Sequence, residues 1–301
     1  MRVAVTGQSG QVVQALIERS GDAVIVPLGR PEFDLLQPAS IDAAIAAAQP
    51  DVVVNAAAYT AVDLAESEAE LAHRINADGA GAVAAAAARL GVPVIQLSTD
   101  YVFDGTAARP YTEDDLPNPI SVYGVSKLAG ERAVAAANPD HVVLRTSWVY
   151  GPFGKNFVRT MLSLAQSRNE VSVVADQHGA PTSALDIADG VLAVARNLLA
   201  QPQRQDLRGT FHMASAGETN WAAFALAIFA ASASKGGPSA QVRPVTTADY
   251  PTAARRPANS RLDCSRLAAT HGVRLPAWRE SLRPVVTRLL GTPAATTRSA
   301  P

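Results

Sequence analysis

Val3-Ala4-Val5-Thr6-Gly7-Gln8-Ser9-Gly10-Gln11-Val12-Val13 decides the fold: a short apolar run, a turn carrying two glycines, then a run that suits a helix. A helix entered straight from a strand turns its unpaired backbone N–H groups towards that turn, where they attract a pyrophosphate. Gly7 suits the tight turn, and Gly10, lacking a Cβ, lets the backbone approach a phosphate, with Gln11 and Val12 opening the helix beside it. The third glycine of a GxxGxxG fingerprint is replaced by Val13. That position serves helix–strand packing, so the valine predicts a slightly displaced helix and not a loss of binding.

Outward from this turn, short apolar runs at 2–5, 23–27, 51–55, 92–97 and 141–145 alternate with helical patterns at 11–19, 41–48, 65–90 and 127–137. Runs that are apolar throughout predict strands buried on both faces of a parallel sheet. The repetition predicts an α/β fold, a Rossmann-like doubly wound parallel sheet with right-handed crossovers. After Gly151 the pattern loosens: helices at 156–166, 184–200, 221–232 and 278–290, strands at 171–174 and 210–212, and a Pro/Arg-rich segment up to Arg261. The expected organisation is a nucleotide-binding domain at 1–150, a smaller lobe at 151–290 and a flexible tail at 291–301. The chain is expected to return to the first domain around 175–212.

Composition narrows the function classes. With 26 basic against 27 acidic residues, no excess charge favours nucleic acid or a membrane surface. The single cysteine, Cys264, excludes an internal disulfide and a multi-cysteine metal site. His73, His141, His178, His212 and His271 have no ligand spacing, so no metal is expected. The apolar run at the N-terminus breaks at Gly7, too early for a signal peptide, and no stretch approaches a membrane span. A cytoplasmic enzyme is the expectation.

The second strand runs into Leu28-Gly29-Arg30, without the acidic residue that would hold the ribose hydroxyls of NAD. Arg30 can pair with a 2′-phosphate, which favours NADPH and leaves NADH open. Asp34 and Leu35 can flank the adenine. The small side chains of Ala56, Ala57 and Ala58 leave room for a dinucleotide along the third strand's end.

Tyr123-Gly124-Val125-Ser126-Lys127 places a phenol and an ammonium at i and i+4, on one helix face. A nearby ammonium is expected to lower the phenol's pKa, and the same lysine can hold a nicotinamide ribose. Hydride addition to a ketone leaves an alkoxide, whose proton Tyr123 would supply. Ser98-Thr99-Asp100 follows the strand expected at 92–97, so the Thr99 hydroxyl can orient the carbonyl; otherwise Thr99 and Asp100 simply cap a turn.

TGQSGQV (6–12), NAAAYTAVDLAES (55–67), STDYVFDG (98–105), YGVSKLAGE (123–131), RTSWVYG (145–151), GKNFVRTML (154–162), DQHGAPT (176–182) and RRPANSRLD (255–263) closely resemble the dTDP-4-dehydrorhamnose reductases. These form a family of the extended short-chain dehydrogenases/reductases, and the likeness covers nearly the whole chain. The glycine turn and the Tyr–Lys pair mark only the superfamily; STDYVFDG, SWVYG, DQHGAPT and RPANS are more specific. The resemblance implies NADPH- or NADH-dependent reduction of the 4-keto group of dTDP-4-dehydro-L-rhamnose to dTDP-L-rhamnose. It implies Tyr123 as proton donor, Lys127 as cofactor-positioning partner and Thr99 as carbonyl-orienting hydroxyl. It further implies sugar contacts from Thr99, Asp100 and Trp148, nucleotide contacts from Arg256 and Asn259, and cofactor contacts that extend to Tyr59.

The chain departs from the family pattern where some members hold a dimer-bridging metal with glutamates, having Gln14-Ala15-Leu16 and Ser183-Ala184-Leu185 instead. The metal-bridged dimer loses its support, and a monomer or homodimer remains open. Two other readings also stay open: another nucleotide-sugar 4-ketoreductase or epimerase, and a non-catalytic regulatory subunit with the same fold.

Overall fold

Valine and isoleucine favour strands and alanine favours helices, so this alternating sequence is locally consistent with its fold. A computed structural model describes residues 1–291; the remainder of the expected tail lies outside the described residues. β1 (Arg2–Thr6), α1 (Gln11–Glu18), β2 (Val24–Leu28), α2 (Pro38–Ala48) and β3 (Val52–Asn55) come first. Two short helices, α3 (Val62–Ala65) and α4 (Ala69–His73), lead through a π turn (Arg74–Gly79) into α5 (Ala80–Arg89) and then β4 (Val94–Thr99). Next come α6 (Val122–Ala137), β5 (His141–Thr146), β6 (Val149–Tyr150), α7 (Phe157–Leu164), β7 (Glu170–Val174), β8 (His178–Gly179) and β9 (Thr182–Ser183). The chain continues through α8 (Ala184–Ala200), β10 (Gly209–His212), β11 (Thr219–Asn220), α9 (Trp221–Ala233), β12 (Gln241–Val245), α10 (Ser265–His271) and α11 (Trp278–Gly291).

Six parallel strands form the central sheet in the order β10-β5-β4-β3-β1-β2. The order reverses between β1 and β3, and the crevice beyond their carboxyl ends is where a doubly wound sheet binds its ligand. Residues alternate between two buried faces. Val3, Val5 and Val54 pack with α1 and with Ile187, Val191 and Leu192 of α8. Ala4 and Val53 pack with Ile41 and Ile45 of α2, Val83 of α5 and Val134 of α6. A separate core joins Tyr150, Val158, Val171, Phe224, Ile228, Leu282 and Val286 beside the sheet.

Several elements differ from expectation. The strand expected at 92–97 begins at Val94, after Pro93, which has no N–H for a ladder, and it runs on through Ser98 and Thr99, which pair with Arg145 and Thr146. The helix expected at 127–137 starts at Val122, because the Ser121 hydroxyl caps it. The single helix expected at 65–90 is interrupted at 66–68 and by the π turn. β2 is an edge strand with Val24 half exposed, not a strand buried on both faces. α10 and β12 are additional elements; β12 pairs with β7 inside the Pro/Arg-rich segment.

Candidate active site

Gly7 leaves β1 at φ 99°, a conformation open to glycine at little cost, and its N–H donates to the Leu28 carbonyl at 2.6 Å. A Cβ at Gly7 would come within 3.3 Å of the Val13 methyl, and one at Gly10 within 3.8 Å, so the valine in place of the third glycine packs against the turn. Gly10 precedes α1 without a side-chain cap, and the first turn holds no acid. The leading N–H groups are therefore presented to the crevice uncovered by side chains, as an anion requires. Val12 is half-buried, and the Gln11 side chain is turned aside, its Oε1 accepting from Asn156 Nδ2 at 2.9 Å.

Beside this turn a buried polar thread crosses the strand ends. Thr6 Oγ1 accepts from the N–H groups of Ala56 and Ala57 at 3.1 and 2.9 Å and donates to Asn55 Oδ1 at 2.6 Å. Asn55 Nδ2 donates to Gln96 Oε1 at 2.7 Å, and Gln96 Nε2 to the Leu97 carbonyl at 2.8 Å. Ala56, Ala57, Ala58 and Tyr59 line the adjoining segment half-buried. Arg30 is exposed past β2, while the half-buried Asp34 accepts from the Leu36 N–H, two residues on, at 3.0 Å. Leu35 packs on Gly79, where a Cβ would lie 2.9 Å from the Leu35 carbonyl oxygen.

The same Leu97 carbonyl accepts from Lys127 Nζ at 2.8 Å. Lys127 is buried, which pushes its ammonium down to about 8 against the opposing charge of Glu131. The neighbouring Tyr123 departs from expectation: its pKa is raised, by burial and then by the charge of Asp100, with the Thr99 hydroxyl acting the other way. Lys127 is not among the influences on this phenol; its Nζ faces the Leu97 carbonyl. Tyr123 is thus a phenol that keeps its proton at neutral pH.

Thr99 ends β4 opposite Thr146 of β5. Its Oγ1 donates to Asp100 Oδ1 at 2.9 Å and accepts from the Tyr101 N–H at 3.2 Å, so the turn-capping role and a place beside Tyr123 coexist. Asp100 is buried, and burial pushes its carboxyl up to about 6, with Ser260 and Thr99 opposing. Its Oδ2 has no hydrogen-bond partner among the described residues. Tyr101 sets its ring edge-on to Tyr123, 5.6 Å between centroids.

Asn76, from the π turn, is a residue that sequence reasoning missed. Its Oδ1 accepts from the Tyr59 N–H at 2.8 Å, and its Nδ2 donates to the Tyr59 carbonyl at 3.1 Å and to Ser126 Oγ at 2.9 Å. Ser126 Oγ donates to the Tyr123 carbonyl at 2.8 Å, linking the segment that ends at Tyr59 to the helix of Tyr123. Glu131, one turn beyond Lys127, accepts from Ser98 Oγ at 2.5 Å and from Arg145 Nε and Nη2 at 2.9 and 2.6 Å, all buried. The available signals were a glycine, Gly130, inside a helix, and acid and base in two adjoining apolar segments.

On the lobe side, Trp148 has φ 48°, a conformation that costs an L-residue roughly 1–2 kcal/mol. Its ring stacks on Trp221, 3.7 Å between centroids. Arg256 Nη2 donates to Asp63 Oδ2 at 2.7 Å and Nη1 to the Tyr101 hydroxyl at 3.3 Å, so Arg256 reaches the rim of the centre with a carboxylate already on it. Asn259 is not brought to the centre as a free group. Its Nδ2 donates to the carbonyls of Ala107 and Arg109, both at 2.8 Å, and its Oδ1 accepts from Arg261, so the amide pins a loop.

Among the described residues no helix is long and apolar enough to cross a membrane. No group of three or more His, Cys, Asp or Glu is placed to hold a metal among them.

A family model described as the RmlD substrate binding domain matches residues 1–290. The chain is 54% identical over 291 residues to the dTDP-4-dehydrorhamnose reductase of Sinorhizobium fredii, covering 96% of this chain and 98% of that one. It superposes on a dTDP-4-dehydrorhamnose reductase from Clostridium acetobutylicum with a TM-score of 0.87 at 38% identity, covering 96% and 100% of the two chains. On the dTDP-4-dehydrorhamnose reductase from Bacillus anthracis, solved in complex with NADP, the TM-score is 0.86 at 35% identity, covering 95% and 98%.

Proposed function

This chain belongs to the dTDP-4-dehydrorhamnose reductase family, and from that premise we propose how its own residues carry out the reaction. The chain is an NADPH-dependent oxidoreductase that reduces the 4-keto group of dTDP-4-dehydro-L-rhamnose to give dTDP-L-rhamnose. The cofactor, when bound, supplies the hydride. Gly7 and Gly10, without Cβ atoms, and the uncapped start of α1 suit its pyrophosphate, with Gln11 and Val12 contributing backbone. The half-buried segment from Ala56 to Tyr59, with Asp34, Leu35 and Arg30, borders the rest of it.

Thr99 orients the substrate carbonyl, and Tyr123 gives its hydroxyl proton to the oxygen as the carbon is reduced. The phenol, its pKa raised by burial, holds its proton at neutral pH until a strongly basic alkoxide develops to take it. Lys127, held on Leu97, brings a donor beside Tyr123 and positions the nicotinamide ribose. Asp100 and Trp148 hold the sugar. Arg256 meets the diphosphate by exchanging Asp63 for a phosphate oxygen, and Asn259 acts indirectly, through the loop at 107–109.

The observation that carries this assignment is the convergence of Thr99, Tyr123 and Lys127 at the end of β4, in the crevice that the phosphate turn also borders. A non-catalytic subunit would need none of that chemistry. We assign residues 1–150 with the returning segment that includes α8 and β10 to the cofactor, and the rest up to 290 to the sugar. A cytoplasmic location suits a reduced cofactor.

Tyr123→Phe is expected to lower kcat by about 10²- to 10⁴-fold, the usual contribution of a positioned acid, while NADPH affinity is kept. Retained turnover would overturn the proton-donor assignment. Stoichiometric NADPH oxidation with the keto-sugar separates this reductase from an epimerase, which returns its hydride to the sugar.

A further inference from the structure

Trp148 leaves β5 in a left-handed conformation, and two features from a distant part of the chain grip its ring. Trp221 stacks on it with an interplanar angle of 12°. Gly179 approaches so closely that a Cβ there would stand 2.6 Å from Cε2, 2.8 Å from Cζ2 and 2.9 Å from Nε1 of the indole. Both come from one small ladder: Gly179 in β8 faces Thr219 in β11, and Trp221 follows as the first residue of α9. Asn220 Oδ1 caps that helix by accepting from the Ala223 N–H at 2.8 Å, which fixes where Trp221 begins. Phe157 backs the second indole, 4.7 Å away between centroids. Trp221 is therefore attached to the core of the smaller lobe, while Trp148 is attached to the sheet.

Aromatic pairs gain most from offset or edge-on contacts. A near-parallel stack on a residue with a strained backbone indicates a ring held by its surroundings, and such strain collects at ligand sites. We propose that Trp221 and Gly179 clamp the Trp148 indole as a rigid wall of the sugar site, which makes Trp221 a positioning residue for recognition of the deoxyhexosyl group. A deoxyhexose presents C–H surfaces that pack on an indole, and a wall free to turn would lose that contact. The proposal rests on the reading of Trp148 as a sugar contact, so the experiment separates the two.

Steady-state constants for dTDP-4-dehydrorhamnose, NADPH affinity, thermal unfolding and the far-ultraviolet exciton couplet of a stacked indole pair are measured for Trp221→Ala, Trp221→Phe and Trp148→Ala. In Trp221→Ala the couplet disappears and KM for the sugar rises roughly five- to tenfold, the scale of an aromatic pair. NADPH affinity stays within about twofold, as expected for a distant, independent site. Trp221→Phe recovers most of the KM, and a Trp148→Ala/Trp221→Ala double variant is no worse than Trp148→Ala alone. If Trp221→Ala does not fold, Gly179→Ala displaces the indole with one methyl and should raise the same KM.

An unchanged KM in Trp148→Ala overturns the sugar-contact reading and the clamp with it. A raised KM in Trp148→Ala with an unchanged KM in Trp221→Ala, or in Gly179→Ala where that variant stands in, overturns the clamp alone. Losses of NADPH affinity and melting temperature in parallel with the raised KM, unrecovered by phenylalanine, assign Trp221 a purely structural role and also overturn it.

Discussion

Asp100 holds its place in the centre at a cost that depends on pH. Its carboxyl is buried, with the Thr99 hydroxyl donating to one oxygen and Ser260 nearby, and burial outweighs both to move its pKa from 3.8 to about 6. A carboxyl whose folded pKa exceeds its unfolded value binds its proton more tightly in the folded state. Its contribution to stability is therefore full below about pH 4 and is lost as pH rises through about 6. The shift corresponds to about 3 kcal/mol. Asp100→Asn, which keeps the shape and removes the charge, is expected to raise the melting temperature by about 5 °C near pH 8 and to leave it unchanged near pH 4. Turnover falls in the same variant, because Thr99 loses its carboxylate and the sugar loses an acceptor. Melting curves at the two pH values check the first expectation, and a rise of equal size at both would refute it. An ionised, poorly paired carboxylate is what a sugar hydroxyl would satisfy, so the cost in the free chain suits the site proposed for it.

At the scale of elements, Gly130 sets the relation between the π turn and α6. A Cβ there would fall 2.0 Å from the Asn76 carbonyl oxygen, so the two helical segments meet backbone to backbone. That approach lets Asn76 reach both Tyr59 and Ser126, and the widened turn is a feature often found at functional sites. Gly81 offers a control in the same helix pair, since the nearest atom to its Cβ would be the Ala133 methyl, at 3.1 Å, with the Ala133 backbone at 3.9 Å. Gly130→Ala is expected to destabilise the chain by about 3 kcal/mol through overpacking, and to lower activity further by displacing Asn76. Gly81→Ala should cost far less, as a gain in helix propensity of about 1 kcal/mol offsets a shift of a few tenths of an ångström between the two helices. Denaturant unfolding of both variants checks the pair; equal effects would refute the close-approach account. The legible part of the site follows the same division. Tyr123 and Lys127 were readable because their spacing puts them on one helix face, and Gly7 because its turn needs a positive φ. The partner of the Lys127 ammonium was not, because it is a carbonyl of another strand, and nothing local marks it. Asn76 was hidden for a related reason: periodicity within 65–90 says helix, whereas the π turn answers to contact with α6.

At the scale of the whole molecule, the sheet was legible from its apolar runs and a return of the chain around 175–212 was expected, but not where the returning segment packs, since helical periodicity does not tell which surface a helix covers. α8 packs on the same face as α1, where Ile187, Val191, Leu192, Val194 and Leu198 are buried against Val3, Val5 and Val54. β10 pairs along the outer side of β5, opposite Val142, Val143, Leu144 and Arg145. Cutting the chain after residue 150 removes both. The α8 side chains named above contribute about 10 kcal/mol at roughly 2 kcal/mol each, which equals the entire stability of a typical domain, about 5–15 kcal/mol. The cut also strips β5 of its neighbour and leaves an unpaired apolar edge. A fragment of residues 1–150 is therefore expected neither to fold cooperatively nor to bind NADPH, although it carries the phosphate turn, Tyr123 and Lys127. The full chain, whose cofactor half is completed by segments on either side of the smaller core, is expected to unfold in one calorimetric transition. Calorimetry of the full chain and NADPH titration of the fragment test this together. A fragment that melts cooperatively and binds the cofactor would show that α8 and β10 are accessories, and that the two halves are joined only by their linkers.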